Sequence, residues 1–298
     1  MRGFPTMKTM MRAVALAVAL VAAPQMAFAA GAAKHPEPQA WSFDGPFGTY
    51  DRAAVQRGFV VYKQVCSACH GLKMLSYRNL GEAGGPFAAV APKNWQERGE
   101  EPKIGAPGHG KVLVNAIDNP WVKAIAAQYE VTEIDANTGE EITRPARPSD
   151  KFFYPYANEG IGRAANGGAY PPDLSVITKA RHGGADYIYA FLTGFKDEAP
   201  KGVEIVEGKN YNPYFRGGWV AMANQLGIAA EAGVVTYEDG TPATKEQMAK
   251  DVVTFLQWAG DPKMEQRKSL GMQAMIYLLV LTLLLYVAYK QVWRGQKH

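Results

Sequence analysis

Both cysteines of this chain fall within one pentapeptide, Cys66-Ser67-Ala68-Cys69-His70. The three-residue step from Cys66 to Cys69 is about one helical turn, so both sulfurs lie on one side of the backbone, and His70 follows directly. Cys-x-x-Cys-His is the attachment site of c-type haem: two thiols add to the vinyl groups and the adjacent imidazole reaches the iron. Three other chemistries use parts of this pattern. A thioredoxin-like redox pair normally follows a strand in a βαβ unit, whereas an amphipathic segment precedes Cys66. A zinc site needs four ligands, and no second Cys or His pair is visible. A Cys66–Cys69 disulfide would close a very small loop and stabilise little. The spacing therefore points to covalent haem.

The rest of the chain is compatible with an exported, anchored domain. Arg2, Lys8 and Arg12 precede the apolar run Ala13 to Ala23, and Ala27-Phe28-Ala29 has the form of a cleavage site. Residues 1–29 are expected to be a signal peptide. Ser269 to Tyr289 contains no charged residue, and twenty-one helical residues rise about 31 Å, enough to cross a bilayer core. This divides the chain into a periplasmic domain over 30–268, a transmembrane helix over 269–289 and a cytoplasmic tail over 290–298. Lysines and arginines flank the span on both sides, so orientation rests on the signal segment and the haem motif instead. The full chain carries a net charge of +4. The signal segment and the tail hold three positive charges each and no acids, leaving −2 between them. That balance gives no support to nucleic-acid binding.

Within the domain, Ala30 to Phe47 reads as an extended arm rich in Pro, Gly and Ala. Asp51 to Val65 reads as a helix with Val55, Phe59, Tyr62 and Val65 on its apolar side and Asp51 as N-cap. Gly71 to Gly110 is mostly loop. Asn119-Pro120 opens a second helix, and Asp135 to Gly139 joins two short strands in the most acidic stretch of the chain, either a solvated face or a docking surface for a basic partner. Phe152 to Ser175 is irregular around Pro171-Pro172 and could wall a flat cofactor. A short helix ends at Gly194. Lys196 to Gln225 returns to loop. Thr244 to Ala259 is the clearest helix, with Thr244 and Gln247 as a capping box and Met248, Val252, Phe255, Leu256 and Ala259 as its apolar stripe. A second iron ligand is open to His109, His182 and several methionines. Met222 is favoured because it follows Gly217-Gly218 in a loop between two helices.

The order of several blocks resembles the cytochrome c1 family. They are Arg57-Gly58-Phe59 before the motif, Tyr77-Arg78 after it, Arg163-Ala164-Ala165-Asn166 with Pro171-Pro172-Asp173-Leu174-Ser175, Ala180 to Gly184, Asn212 to Phe215 with Met222, Glu238 to Thr241, and Trp258-Ala259 before the anchor. The resemblance implies a mainly α, class-I-like cytochrome c fold with long loop insertions, crossed first and last helices, and one covalent haem c. It implies that Met222 is the second axial ligand beside His70, that Arg163 pairs with a haem propionate, and that Pro171 packs near the histidine. The implied partners are cytochrome b, the Rieske iron–sulfur protein and a soluble cytochrome c. Asn224 and Gln225 stand where the family often has prolines. Other anchored c-type cytochromes and a periplasmic thiol oxidoreductase are the rival readings.

Overall fold

The computed structural model describes residues 33–105 and 111–295. The expected signal peptide, His109 and the end of the basic tail lie outside the described residues.

Two helices make the frame. The first, α1 (Arg52–Val61), starts where the Asp51 carboxylate accepts hydrogen bonds from the amides of Ala53 and Ala54, satisfying donors that a helix start leaves free. It runs on as a single π-helical turn, Tyr62–Cys66. The expected helix to Val65 is therefore α-helical only as far as Val61, and the wider turn leads straight into the motif.

The second frame helix is α6 (Lys245–Gly260, numbered in chain order with the helices below). Thr244 Oγ1 accepts from the Gln247 amide at 3.2 Å. The reciprocal half of the expected capping box is absent, because the Gln247 side chain donates to Asp251 instead. Helix α6 is buried well beyond one stripe: Asp251, Val253, Thr254 and Trp258 are covered as well as the five expected apolar residues.

The two helices cross at Gly58. A Cβ there would lie 2.0 Å from the Asp251 carbonyl oxygen and 2.7 Å from Phe255 Cβ, so only glycine permits this approach. Phe59 packs edge-on against Phe255 with centroids 5.7 Å apart, and Phe255 stacks on the fully buried Trp258. Beside the crossing, Arg57 grips the buried Asp251 through Nε and Nη2, both at 3.0 Å, and reaches Asp239 with Nη1 at 2.8 Å.

Shorter elements are laid around this frame. Residues Tyr77–Gly81 form a 3-10 turn. A small antiparallel sheet has order β2–β1–β3, from Ala89–Pro92 (β1), Lys103–Ile104 (β2) and Lys111–Leu113 (β3); the sequence reads as loop there because these strands are only two to four residues long. Helix α2 (Pro120–Ala126) has Asn119 as N-cap and Pro120 at its first position, as expected. The acidic hairpin pairs β4 (Glu130–Ile134) with β5 (Glu141–Pro145). Then come α3 (Glu159–Ala165), α4 (Gly184–Thr193), the two-residue pair β6 (Asn210–Tyr211) and β7 (Trp219–Val220), and α5 (Gln225–Glu231). Helix α3 falls in a stretch read as irregular, and α5 begins at the last residue of the loop read over Lys196 to Gln225 and continues through residues given no element. Each is only seven residues long, and both are capped by asparagine, Asn158 on the Ile161 amide and Asn224 on the Gly227 amide. The last helix, α7 (Met264–Val292), is the one described helix long and apolar enough to cross a membrane. Of its residues only Met264 is buried.

Candidate functional site

The motif occupies the outlet of the π turn. The Ser67 amide donates to the Tyr62 carbonyl five residues back, and the amides of Cys69 and His70 both return to the Cys66 carbonyl. Such widened turns recur at functional sites because they re-aim side chains without ending the helix. Both thiols are free and half-buried. Burial pushes the Cys66 thiol up to about 12, with the neighbouring Cys69 adding to it. A thiol used for redox exchange needs the opposite shift, toward thiolate. Among the described residues no three His, Cys, Asp or Glu side chains are placed to hold a metal ion.

A second segment, a hundred residues later, holds the histidine in place. His70 Nδ1 meets the Pro172 carbonyl at 2.8 Å. A carbonyl can only accept, so Nδ1 carries the proton and Nε2 keeps its lone pair. Burial holds the imidazole below its ordinary value, opposed by the Pro172 bond and by the charge of Asp173. The same segment is stitched to the chain after the motif at three more points. The Leu174 amide donates to the Gly71 carbonyl at 2.9 Å. The Lys73 amide donates to Asp173 at 2.9 Å, and the Met74 amide donates to Ser175 Oγ at 3.1 Å. From the helix side, the Tyr62 hydroxyl donates to the His70 carbonyl at 3.1 Å.

Tyrosines from the segment before α3 complete the surroundings. A Cβ on Gly71 would fall 2.1 Å from a ring carbon of Tyr154, so the position after His70 admits no side chain. The hydroxyls of Tyr154 and Tyr170 are in contact. Tyr156 lies beside the Cys69 thiol and accepts from Asn166 Nδ2 at 2.8 Å.

The residues singled out from sequence fall as follows. Cys66, Cys69 and His70 share one turn, and Pro171 is half-buried next to the Pro172 that actually supplies the carbonyl. Arg163 is exposed on α3. It pairs with Glu159 at 2.6 Å and donates to the Gly168 carbonyl, with its guanidinium over the Tyr170 ring. Met222 is half-buried between β7 and α5. Gly71, Tyr154, Pro172, Asp173 and Ser175 had no chemical signature of their own; the one available signal was the run Pro171-Pro172-Asp173-Leu174-Ser175. The donor set suits a haem: two free thiols on one turn, and an imidazole whose tautomer and direction are set by a backbone carbonyl.

These features define a haem-binding domain of mainly α class, followed by an apolar C-terminal helix. The chain belongs to the cytochrome c1 family, whose model, described as the Cytochrome C1 family, matches residues 41–296. That family supplies a haem subunit of the bc1 complex. The chain is similar to "Cytochrome b/c1" of Bradyrhizobium diazoefficiens, 42% identical over 271 residues, which are 85% of this chain and 35% of that protein. It therefore spans about a third of that relative's length. It is also similar to "Cytochrome c1 1, heme protein, mitochondrial" of Arabidopsis thaliana, 44% identical over 251 residues, 84% of this chain and 69% of that protein. A third relative is the "Cytochrome b-c1 complex catalytic subunit, mitochondrial" of Candida albicans, 43% identical over 250 residues, 84% of this chain and 74% of that protein.

Proposed function

We propose that this chain carries electrons within a membrane-bound quinol:cytochrome c reductase, from the Rieske iron–sulfur protein to a soluble cytochrome c, and itself makes no bond on a substrate. Cys66 and Cys69 would hold a single haem c through thioether bonds, and His70 and Met222 would ligate its iron. When bound, the haem supplies a one-electron couple whose potential is set by ligands, burial and hydrogen bonding.

The observation that carries this reading is the bond from His70 Nδ1 to the Pro172 carbonyl. It leaves Nε2 as the only nitrogen able to ligate, and it makes the imidazole a better donor. The rest of the site serves the same end. Tyr62 fixes the backbone at His70, and Gly71 lets the Tyr154 ring close over the turn. Arg163 would exchange its exposed Glu159 contact for a propionate, and Pro171 packs on the histidine side. A methionine thioether as second ligand favours the reduced state more than a second imidazole does, which suits the high-potential end of a chain. The names of these relatives join cytochrome b to c1, in keeping with a cytochrome b partner here.

In this reading α7 anchors the chain in a bacterial plasma membrane, residues 1–29 are a cleaved signal, and the large domain faces the periplasm. The test is a redox-difference spectrum of the detergent-purified assembly, followed by Met222→Leu. The assembly should show c-type and b-type haem together with an iron–sulfur protein. The variant should keep its haem through denaturation, lose the methionine-to-iron charge-transfer band and fall in midpoint potential. Retention of both band and potential would remove Met222 from the iron.

A further inference from the structure

We propose that the turn formed by residues 44–48 is a second membrane contact, with Phe47 seated in the lipid headgroup layer beside α7. This rests on the reading of α7 as a membrane span.

The argument begins with Lys268, the last charged residue before the uncharged run that starts at Ser269. Its ammonium donates to the carbonyls of Phe43, Gly45 and Gly48 at 2.7, 2.7 and 3.1 Å. An ammonium has three donors, and this turn takes all three. A lysine at a membrane edge ordinarily extends toward water or phosphate; here it draws a loop of its own chain to that level. One helical turn earlier, Glu265 accepts from the Tyr50 amide at 2.8 Å and pairs with Arg52 at 2.5 Å. Both ends of the turn are thus tied to the first two turns of α7.

Packing makes the attachment rigid. Phe43 and Tyr50, on either side of the turn, are buried with ring centroids 5.8 Å apart, and Trp41 stacks on Phe43 at 5.3 Å. The Tyr50 hydroxyl donates into the end of α6 at the carbonyls of Gln257 and Asp261. The tip is the opposite of its base: Phe47 is 79% exposed and is flanked by Gly45, Pro46 and Gly48, while the exposed carboxylate of Asp44 stands at the start of the turn, on the side of Phe43.

A single exposed phenylalanine on a soluble surface needs no explanation. This one is pinned at the height where the span begins. The headgroup layer adds about 5–7 Å on each side of the hydrocarbon core, and the turn is held within the reach of one lysine side chain from that boundary. An apolar tip tethered in this way is within reach of that layer.

The test uses the full-length, haem-loaded chain in phospholipid vesicles, with Phe47→Cys, Leu279→Cys and Asn137→Cys each carrying a nitroxide. Collision with oxygen, which concentrates in lipid, is compared with collision with a water-soluble nickel chelate. The label at 279, in the middle of the uncharged run, reports the span; the label at 137, in the hairpin turn, reports solvent. The oxygen-to-nickel ratio at 47 should be severalfold above that at 137 and below that at 279. A ratio at 47 equal to that at 137, with 279 lipid-exposed, overturns the proposal and leaves the span intact. A water-like ratio at 279 overturns the span itself. A label at 47 shielded from both quenchers means that protein covers the turn, which also overturns the proposal.

Discussion

Gly58→Ala tests whether the helix crossing is what frames the haem motif. On an open helix this substitution stabilises by about 1 kcal/mol, because alanine is the better helix former. At the crossing the sign should reverse. The new Cβ would stand 2.0 Å from the Asp251 carbonyl oxygen, 2.6 Å from its carbon and 2.7 Å from Phe255 Cβ. Two of these three atoms are backbone and cannot rotate away. Ordinary contact begins near 3.4 Å, so α1 and α6 must part by roughly 1 Å, a gap that already forfeits a quarter to a half of each dispersion contact. Overpacking of this kind costs about 1–3 kcal/mol. The upper end applies, because the Phe59, Phe255 and Trp258 rings share the seam. Subtracting the propensity gain leaves a loss of about 2 kcal/mol, or a fall in Tm of about 4–8 °C for a domain of this size. The assay is thermal unfolding of the haem-loaded chain in detergent, followed by far-UV circular dichroism. Gly271→Ala is the control, since a Cβ there meets nothing within 4 Å, and it should not lower Tm. A Gly58→Ala protein that melts at or above the parent would refute the reasoning.

Three further outcomes follow from the same geometry. Arg57→Met strips the guanidinium from Asp251, whose side chain is 1% exposed, and leaves Gln247 as its side-chain donor; a loss of about 3–5 kcal/mol should appear as a lower denaturant midpoint, and Arg57→Met with Asp251→Leu should recover part of it. The Thr241 amide and the Arg57 guanidinium hold the Asp239 carboxyl at about 2, below its ordinary 3.8. A depressed carboxylate contributes its stability above the unfolded value and loses it as the pH falls toward the folded one. Asp239→Asn should therefore flatten the decline of the denaturant midpoint between about pH 4 and pH 2, and an unchanged decline would show that the contact adds nothing. Finally, residues 30–289, which carry a net charge of −2, should associate faster with a basic cytochrome c at low salt, the rate falling as ionic strength rises; a salt-independent rate would count against that docking mode.

What the sequence made legible is what a local period or cap can encode. The frame helices announced themselves through Val55, Phe59 and Tyr62, through Met248, Val252 and Phe255, and through the caps Asp51, Asn119 and Thr244. The hairpin announced itself through Asp135 to Gly139, and the last helix through its lack of charge. The missed elements are short: strands of two to four residues and seven-residue helices. A seven-residue helix is below the length at which isolated helices hold together in water. Helices α3 and α5 exist because the domain holds them, with Asn158 and Asn224 capping starts that a sequence window cannot tell from loop.

The site divides along the same line. Its reactive groups lie within five residues, so spacing alone exposed them. What directs those groups is remote: the Pro172 carbonyl is 102 residues from His70, and the Asp173 and Ser175 side chains are 100 and 101 residues from the amides they accept from. The contribution at Pro172 is a backbone oxygen, which any residue possesses; no residue type marks it. The prolines matter because they hold the backbone extended, presenting that carbonyl while Asp173 and Ser175 fasten the segment to the chain after the motif. The family resemblance points to Pro171 as packing near the histidine; the hydrogen bond itself is made by the carbonyl one residue on. The same limit applied at Gly71, whose role is the absence of a side chain beneath the Tyr154 ring. The motif is visible in the sequence because its chemistry and spacing are specific; the atoms that aim it are backbone or empty space, and only the fold shows which ones they are.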